Sequence, residues 1–224
     1  MDVATRLETE LDHALSRAGG ADCPPILSEA MRYAVFPGGA RIRPRLTLAV
    51  AMACGDTLPV AADAGAAAIE LLHCASLVHD DLPCFDAAAL RRGKPSVHTA
   101  YGERTAVLVG DALIVLAFEQ LAIRLARHGD RLAPLVKIIS AAVGGPHGIA
   151  AGQAWECEPE IDLVRYQRSK TGALFAACTM AGAAAAGREP EAWRTLGYAI
   201  GEAFQVADDL RDAVSYTHLR AHET

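Results

Sequence analysis

The segment ELLHCASLVHDDLPCFD (70–86) opens on Glu70, is mostly apolar to Val78 and then gathers three acids, Asp80, Asp81 and Asp86, at its end. A loop around Gly55-Asp56 and Pro59 precedes it, so the pattern predicts one long helix from there to about Asp81. His73, Ser76 and Asp80 fall at i, i+3 and i+7 on that helix and share one face. Asp86 is six residues past Asp80, about 120° round a straight helix. It returns to the same face only if the helix ends or bulges near Pro83. Read alone, these acids fit a solvated helix end as well as a site.

Outward from this helix the rest of the chain also reads as helix. Val3, Leu7, Leu11 and Leu15 recur every four residues before Gly19-Gly20, and Pro24-Pro25 open a second helix to about Val35. Phe36-Pro37-Gly38-Gly39-Ala40 cannot continue it, and Pro44 suits the first turn of a third helix ending near Ala53. Further helices are expected at about 99–127, 131–143, 148–156, 161–187 and 190–214, with an irregular basic stretch at 87–97. No segment alternates with the period of a strand. Of the 224 residues 52% are hydrophobic but only 5% aromatic, and about a fifth are Ala, the strongest helix former. The expectation is a single all-α domain over 1–214.

Composition also excludes functions. A formal charge of −6 argues against binding nucleic acid through a basic surface. The N-terminus carries acids early and has no apolar core, unlike a secretory signal, and the six dispersed cysteines form no C-x-x-C pair. They read as buried thiols in a reducing, cytoplasmic protein. The uncharged stretch Thr171 to Gly187 is mostly Ala and Gly, which predicts a buried core helix and no membrane span.

A second acidic cluster is Gln205-Val206-Ala207-Asp208-Asp209-Leu210-Arg211-Asp212. Asp208 and Asp212 are one turn apart, and Gln205 lies one turn earlier on the same side. Such carboxylates repel, so an inward orientation calls for a cation, and oxygen ligands on two helices suit Mg²⁺ shared with phosphate oxygens. Three basic loops could hold phosphate: Gly38-Gly39-Ala40-Arg41-Ile42-Arg43-Pro44, Arg91-Arg92-Gly93-Lys94 and Lys170-Thr171-Gly172. Each taken singly reads as a solvated basic loop. Their company with two acid clusters in an apolar chain predicts a site for a metal-bound polyphosphate.

At these residues the chain resembles the trans-isoprenyl diphosphate synthases, which join isopentenyl diphosphate to an allylic diphosphate. The matching segments are FPGGARIRPRL (36–46), ELLHCASLVHDDLPCFD (70–86), LRRGKPSVH (90–98), GDALIVLAFEQL (110–121), SKTGALF (169–175) and FQVADDLRD (204–212), in family order. The resemblance implies an isoprenoid-synthase helical bundle around a central cavity, as a homodimer. It implies about three Mg²⁺ ions on Asp80, Asp86 and Asp208, supported by Asp81 and Asp212. Arg91, Lys170 and Gln205 would hold the allylic diphosphate, Arg43, His73 and Arg92 isopentenyl diphosphate, and Thr171 would steady the developing cation. Small residues at Ala75 and Ser76, with four residues between the outer acids Asp81 and Asp86, are similar to bacterial geranylgeranyl diphosphate synthases.

The chain departs from the family in three places. Ala40 stands where the family usually has Lys, Ala87-Ala88-Ala89 replace common acids, and residues 215–224 match nothing in the family. The bundle is therefore expected to be truncated at its C-terminus, with 215–224 a non-native tail. Other readings are a farnesyl diphosphate synthase and a non-catalytic partner subunit of a heteromeric synthase. A class I terpene cyclase lacks the Gly-Gly-x-Arg-x-Arg-Pro loop, and a metal-dependent phosphohydrolase, suggested by His79-Asp80, lacks further His ligands here.

Overall fold

In the computed structural model, residues 2–221 are described, with side chains to residue 210. Helices α1 (Val3–Ala18), α2 (Pro25–Val35), α3 (Ile42–Ala53) and α4 (Pro59–Asp80) follow the apolar periodicity closely. Asp2 caps α1 by accepting the amides of Ala4 and Thr5. Pro25 and Pro59 occupy the first turns of their helices, where a missing N–H costs nothing.

Later elements are more broken than the pattern predicts. The expected helix over 99–127 is two, α5 (Val97–Tyr101) and α6 (Glu103–Arg124), separated at Gly102. After α7 (Gly129–Val143) and α8 (Ile149–Ala154) comes a 3₁₀ turn, Trp155–Cys157. The expected helix over 161–187 is α9 (Leu163–Gln167), a π-turn at Arg168–Gly172 and α10 (Ala173–Ala185). A 3₁₀ turn at Glu191–Trp193 leads into α11 (Arg194–Ala221). The basic stretch after α4 holds a small hairpin, β1 (Leu90–Arg91) paired antiparallel with β2 (Lys94–Pro95).

Two helices form the centre. α4 lies along α6 and also meets α3 and α10, while α10 is additionally packed by α7 and α11. All thirteen residues of α10 are buried, and α4 buries Ala61, Ala62, Ala64, Ala66, Ala67 and Ala68. Methyl side chains let helix axes approach to about 8 Å, so this Ala-rich sequence builds a core from closeness where others use bulk. Leu7, Leu11, Leu48, Ile69, Leu113, Leu121 and Leu135 fill the layer between.

α4 and α6 are both long and apolar enough to cross a membrane, but 72% of the α4 stretch is buried inside this bundle against 44% for α6. The cysteines depart from expectation: Cys54, Cys74 and Cys178 are buried, Cys23 is intermediate, and Cys84 and Cys157 are exposed. Burial pushes the Cys74 and Cys178 thiols up to about 12, which makes them inert.

Candidate active site

The basic loop, the first acid cluster, the π-turn and α11 converge on one polar cavity of about 490 Å³. Its walls carry Arg43, His73, Ser76, Asp80, Arg91, Arg92, Lys170, Thr171, Gln205 and Asp208, so ten expected site residues from five parts of the chain share one space.

α4 stops at Asp80, and the chain then folds back so that the Asp86 amide donates to the Asp80 carbonyl at 2.9 Å. The return needed to bring Asp86 beside Asp80 is thus made by the helix end. Burial pushes the Asp80 carboxyl up, Asp86 adds to this, and Lys170 and Arg91 oppose it. Asp81 goes elsewhere: its side chain is 3% exposed and accepts the Arg91 Nε at 3.0 Å. Asp81 fixes Arg91 from behind, because the first residue past the helix turns away from the face that Asp80 occupies. The side chain of Asp212 lies outside the described residues.

Arg41 heads the basic loop in the left-handed region at φ 51, a conformation that costs a non-glycine residue roughly 1–2 kcal/mol. Three contacts hold it there: Glu70 Oε1 at 2.7 Å, Glu8 Oε1 at 2.9 Å and the Val35 carbonyl at 2.9 Å. Burial by itself would lower its pKa, but Glu8 and Glu70 together raise it, so the cation is permanent. Gly39 leaves the space that Arg92 fills, since a Cβ there would lie 2.7 Å from Arg92 Cζ. Arg41 read as part of a loop that could hold phosphate, and the structure pairs it with Glu8 and Glu70; Glu70 was not singled out, because that buried pairing spans 29 positions.

Arg43 stands over the rings of Phe175 and Phe204 at 4.6 and 5.4 Å, with Nη1 3.4 Å from His73 Nε2. Burial lowers its pKa, and its Nε is buried with no hydrogen-bond partner. His73 lines the cavity; desolvation and the charges of Arg43 and Arg92 drive it well below 6.5, so it is neutral. A buried cation with an unused donor beside neutral imidazole is a receptor for an anion.

Lys170 and Thr171 sit in the π-turn, a form of helix that recurs at functional sites. Thr171 donates to Gln205 Oε1 at 2.8 Å, and Gln205 donates to Asp209 at 2.9 Å, tying the π-turn to α11. Lys170 Nζ is 2.7 Å from Glu156 and 4.0 Å from Asp80. Burial would lower the Lys170 pKa, but Glu156 and Asp80 raise it overall. Glu156 is held below the ordinary glutamate range, the Lys170 and Tyr166 hydrogen bonds outweighing its burial.

A second cavity of about 680 Å³ shares Ser76, Asp80 and Ile149 with the first and, apart from His79 and Gln153, is walled by apolar and small groups, including Leu72, Ala75, Ile114, Phe118 and Val143. Ala75 and Ser76 are where the sequence places them, one turn below Asp80. Phe118 was not singled out, because its position opposite α4 is set by helix packing. Asp80 and Asp208 offer hard oxygen donors of the kind Mg²⁺ takes. Among the described residues no three His, Cys, Asp or Glu groups lie close enough to hold an ion by themselves. Oxygens of a bound diphosphate would complete the shell, which is how Mg²⁺ is usually held.

A geranylgeranyl diphosphate synthase of Cereibacter sphaeroides is 57% identical over 209 residues, 93% of this chain and 73% of that protein. One of Rhodobacter capsulatus is 54% identical over 214 residues, 96% of this chain and 74% of that protein. The crystal structure of a geranyltransferase from Legionella pneumophila superposes with a TM-score of 0.84 at 37% identity, covering 94% of this chain and 77% of that one. The polyprenyl synthetase family model matches residues 24–219, and with the bundle and cavity described above this chain belongs to the polyprenyl synthetase family.

Proposed function

We propose that the chain is a trans-prenyltransferase that condenses isopentenyl diphosphate with an allylic diphosphate in a magnesium-dependent reaction, and that its product is geranylgeranyl diphosphate. The observation that carries this reading is the Arg43 Nε, buried and unpartnered at the wall of a cavity that also holds Asp80, Lys170 and Asp208. A buried donor left unsatisfied costs about 1–3 kcal/mol, which an anionic ligand repays on binding.

Arg43, Arg92 and neutral His73 receive the diphosphate of isopentenyl diphosphate. Arg91, Lys170 and Gln205 receive that of the allylic substrate. Asp80, Asp86 and Asp208, with Asp212, would hold about three Mg²⁺ ions, whose positive charge stabilises the leaving diphosphate as the allylic C–O bond breaks. Arg91 and Lys170 stabilise the same charge, each contributing on the order of 4 kcal/mol at about 4 Å in an effective dielectric near 20. The Thr171 hydroxyl oxygen faces the cation left behind. The hydrocarbon tail lies in the apolar cavity, which keeps water from that cation.

The small side chains of Ala75 and Ser76, and the names of the relatives that share 54–57% identity, support a twenty-carbon product. A homodimer is supported by α6, whose outer face exposes Leu108 and Val115 at 57% and 67%. The test is turnover with isopentenyl diphosphate, geranyl or farnesyl diphosphate and Mg²⁺, followed by chromatography of the dephosphorylated products. Geranylgeraniol is expected, turnover should vanish in EDTA, and Asp80→Ala should lower kcat by about a hundredfold or more. Turnover that survives EDTA overturns the metal assignment. Farnesol as the sole product from geranyl diphosphate overturns the product length.

A further inference from the structure

Lys170 stands between two carboxylates, and its shorter contact is to the one no sequence motif marks. Glu156 lies on the 3₁₀ turn after α8. Three donors from separate elements converge on it: Lys170 Nζ at 2.7 Å and Tyr166 Oη at 2.6 Å on Oε1, and Gln153 Nε2 at 2.9 Å on Oε2. Glu156 is itself absent from the walls of both cavities described above; it meets the polar one through Lys170 and the apolar one through Gln153.

The approach is built into the backbone. A Cβ at Gly152 would lie 2.4 Å from the Lys170 backbone nitrogen, so α8 is pressed against the π-turn and carries Glu156 to the lysine. On its other side Lys170 Nζ stops 4.0 Å short of Asp80 Oδ1, at the limit of an ion pair. A lysine stem is flexible and its ammonium seeks the nearest carboxylate. Without Glu156 the group would close on Asp80 and occupy an oxygen that a divalent cation needs.

We infer that Glu156 is a positioning residue: it holds the Lys170 ammonium at the cavity edge, turned towards the diphosphate and off Asp80. This rests on the function proposed above. The test is calorimetric titration of an unreactive allylic thiolodiphosphate at a series of Mg²⁺ concentrations, which reads binding and its metal requirement apart from turnover. In Glu156→Gln the Mg²⁺ concentration for half-maximal binding should rise about tenfold, the scale of one lost charge-assisted hydrogen bond. Glu156→Asp should recover part of this, and Glu156→Gln added to Lys170→Ala should shift nothing further.

An unchanged metal requirement in Glu156→Gln, or a full additional shift in the double variant, overturns the inference. A lower melting temperature in Glu156→Gln without the metal shift overturns it too, leaving Glu156 a purely structural role. If the unaltered chain fails to bind the thiolodiphosphate at any Mg²⁺ concentration, the proposed function falls with it. Binding that Lys170→Ala weakens and Glu156→Gln leaves intact removes this inference alone.

Discussion

Ala75 is 1% exposed, yet it lines the apolar cavity, so at this position only a methyl stands between the α4 backbone and the space below Asp80. Ala75→Phe puts a ring into that space, and we expect the main product to shorten from twenty carbons to fifteen, read by chromatography of the dephosphorylated alcohols. The added ring should cost about 1–3 kcal/mol of stability through overpacking. An unchanged twenty-carbon product would place the stop elsewhere, with Phe118 as the next candidate. Ala75 was legible because one helical turn before a recognisable acid is a fixed position. The pairing of Asp81 with Arg91 was not: adjacent acids point in different directions once a helix ends, and the Arg91 that meets Asp81 arrives from a hairpin ten residues on. Glu156 was hidden for a plainer reason, since an acid in the polar stretch Glu156-Cys157-Glu158-Pro159-Glu160 looks like solvent-facing chain.

Among elements, the helices with strong apolar periodicity and a proline or glycine at their ends were readable to within a residue or two. The π-turn was not. It arises by widening one turn of a helix and needs no Gly or Pro to announce it, so the stretch from Leu163 to Ala185 read as continuous. Its neighbour α8 gives the element-scale prediction. Gly152→Ala drives a methyl into the Lys170 backbone, which cannot yield as a flexible side chain would. Chemical denaturation should show a loss of about 1–3 kcal/mol, and thiolodiphosphate binding should weaken with it as the π-turn is displaced. Wild-type stability in Gly152→Ala would mean that α8 and the π-turn separate freely.

For the molecule as a whole, composition and spacing were enough for the all-α class and for the meeting of two acid clusters with three basic loops. The partition into a polar and an apolar cavity was not, because it depends on which faces of α4, α6, α8 and α11 turn inward. α6 also turns apolar residues outward, and with Leu108 and Val115 seven residues apart they form a stripe along one side. If the proposed homodimer forms through this stripe, Val115→Glu places a charge in it and should shift the sedimentation mass from twice that of the chain to once. A dimer that survives both Val115→Glu and Leu108→Glu would assign the interface to another face.

The wall common to the two cavities, Ser76, Asp80 and Ile149, has a kinetic consequence. In the reaction proposed above, diphosphate would stay on one side of it while hydrocarbon accumulates on the other, and each buried methylene would add about 0.8 kcal/mol to retention, on the order of 4 kcal/mol for a five-carbon unit. Every intermediate is therefore gripped more tightly than the one before it. Processivity follows from the shape of the wall: escape becomes rarer as the chain lengthens, and the finished product is the slowest of all to leave.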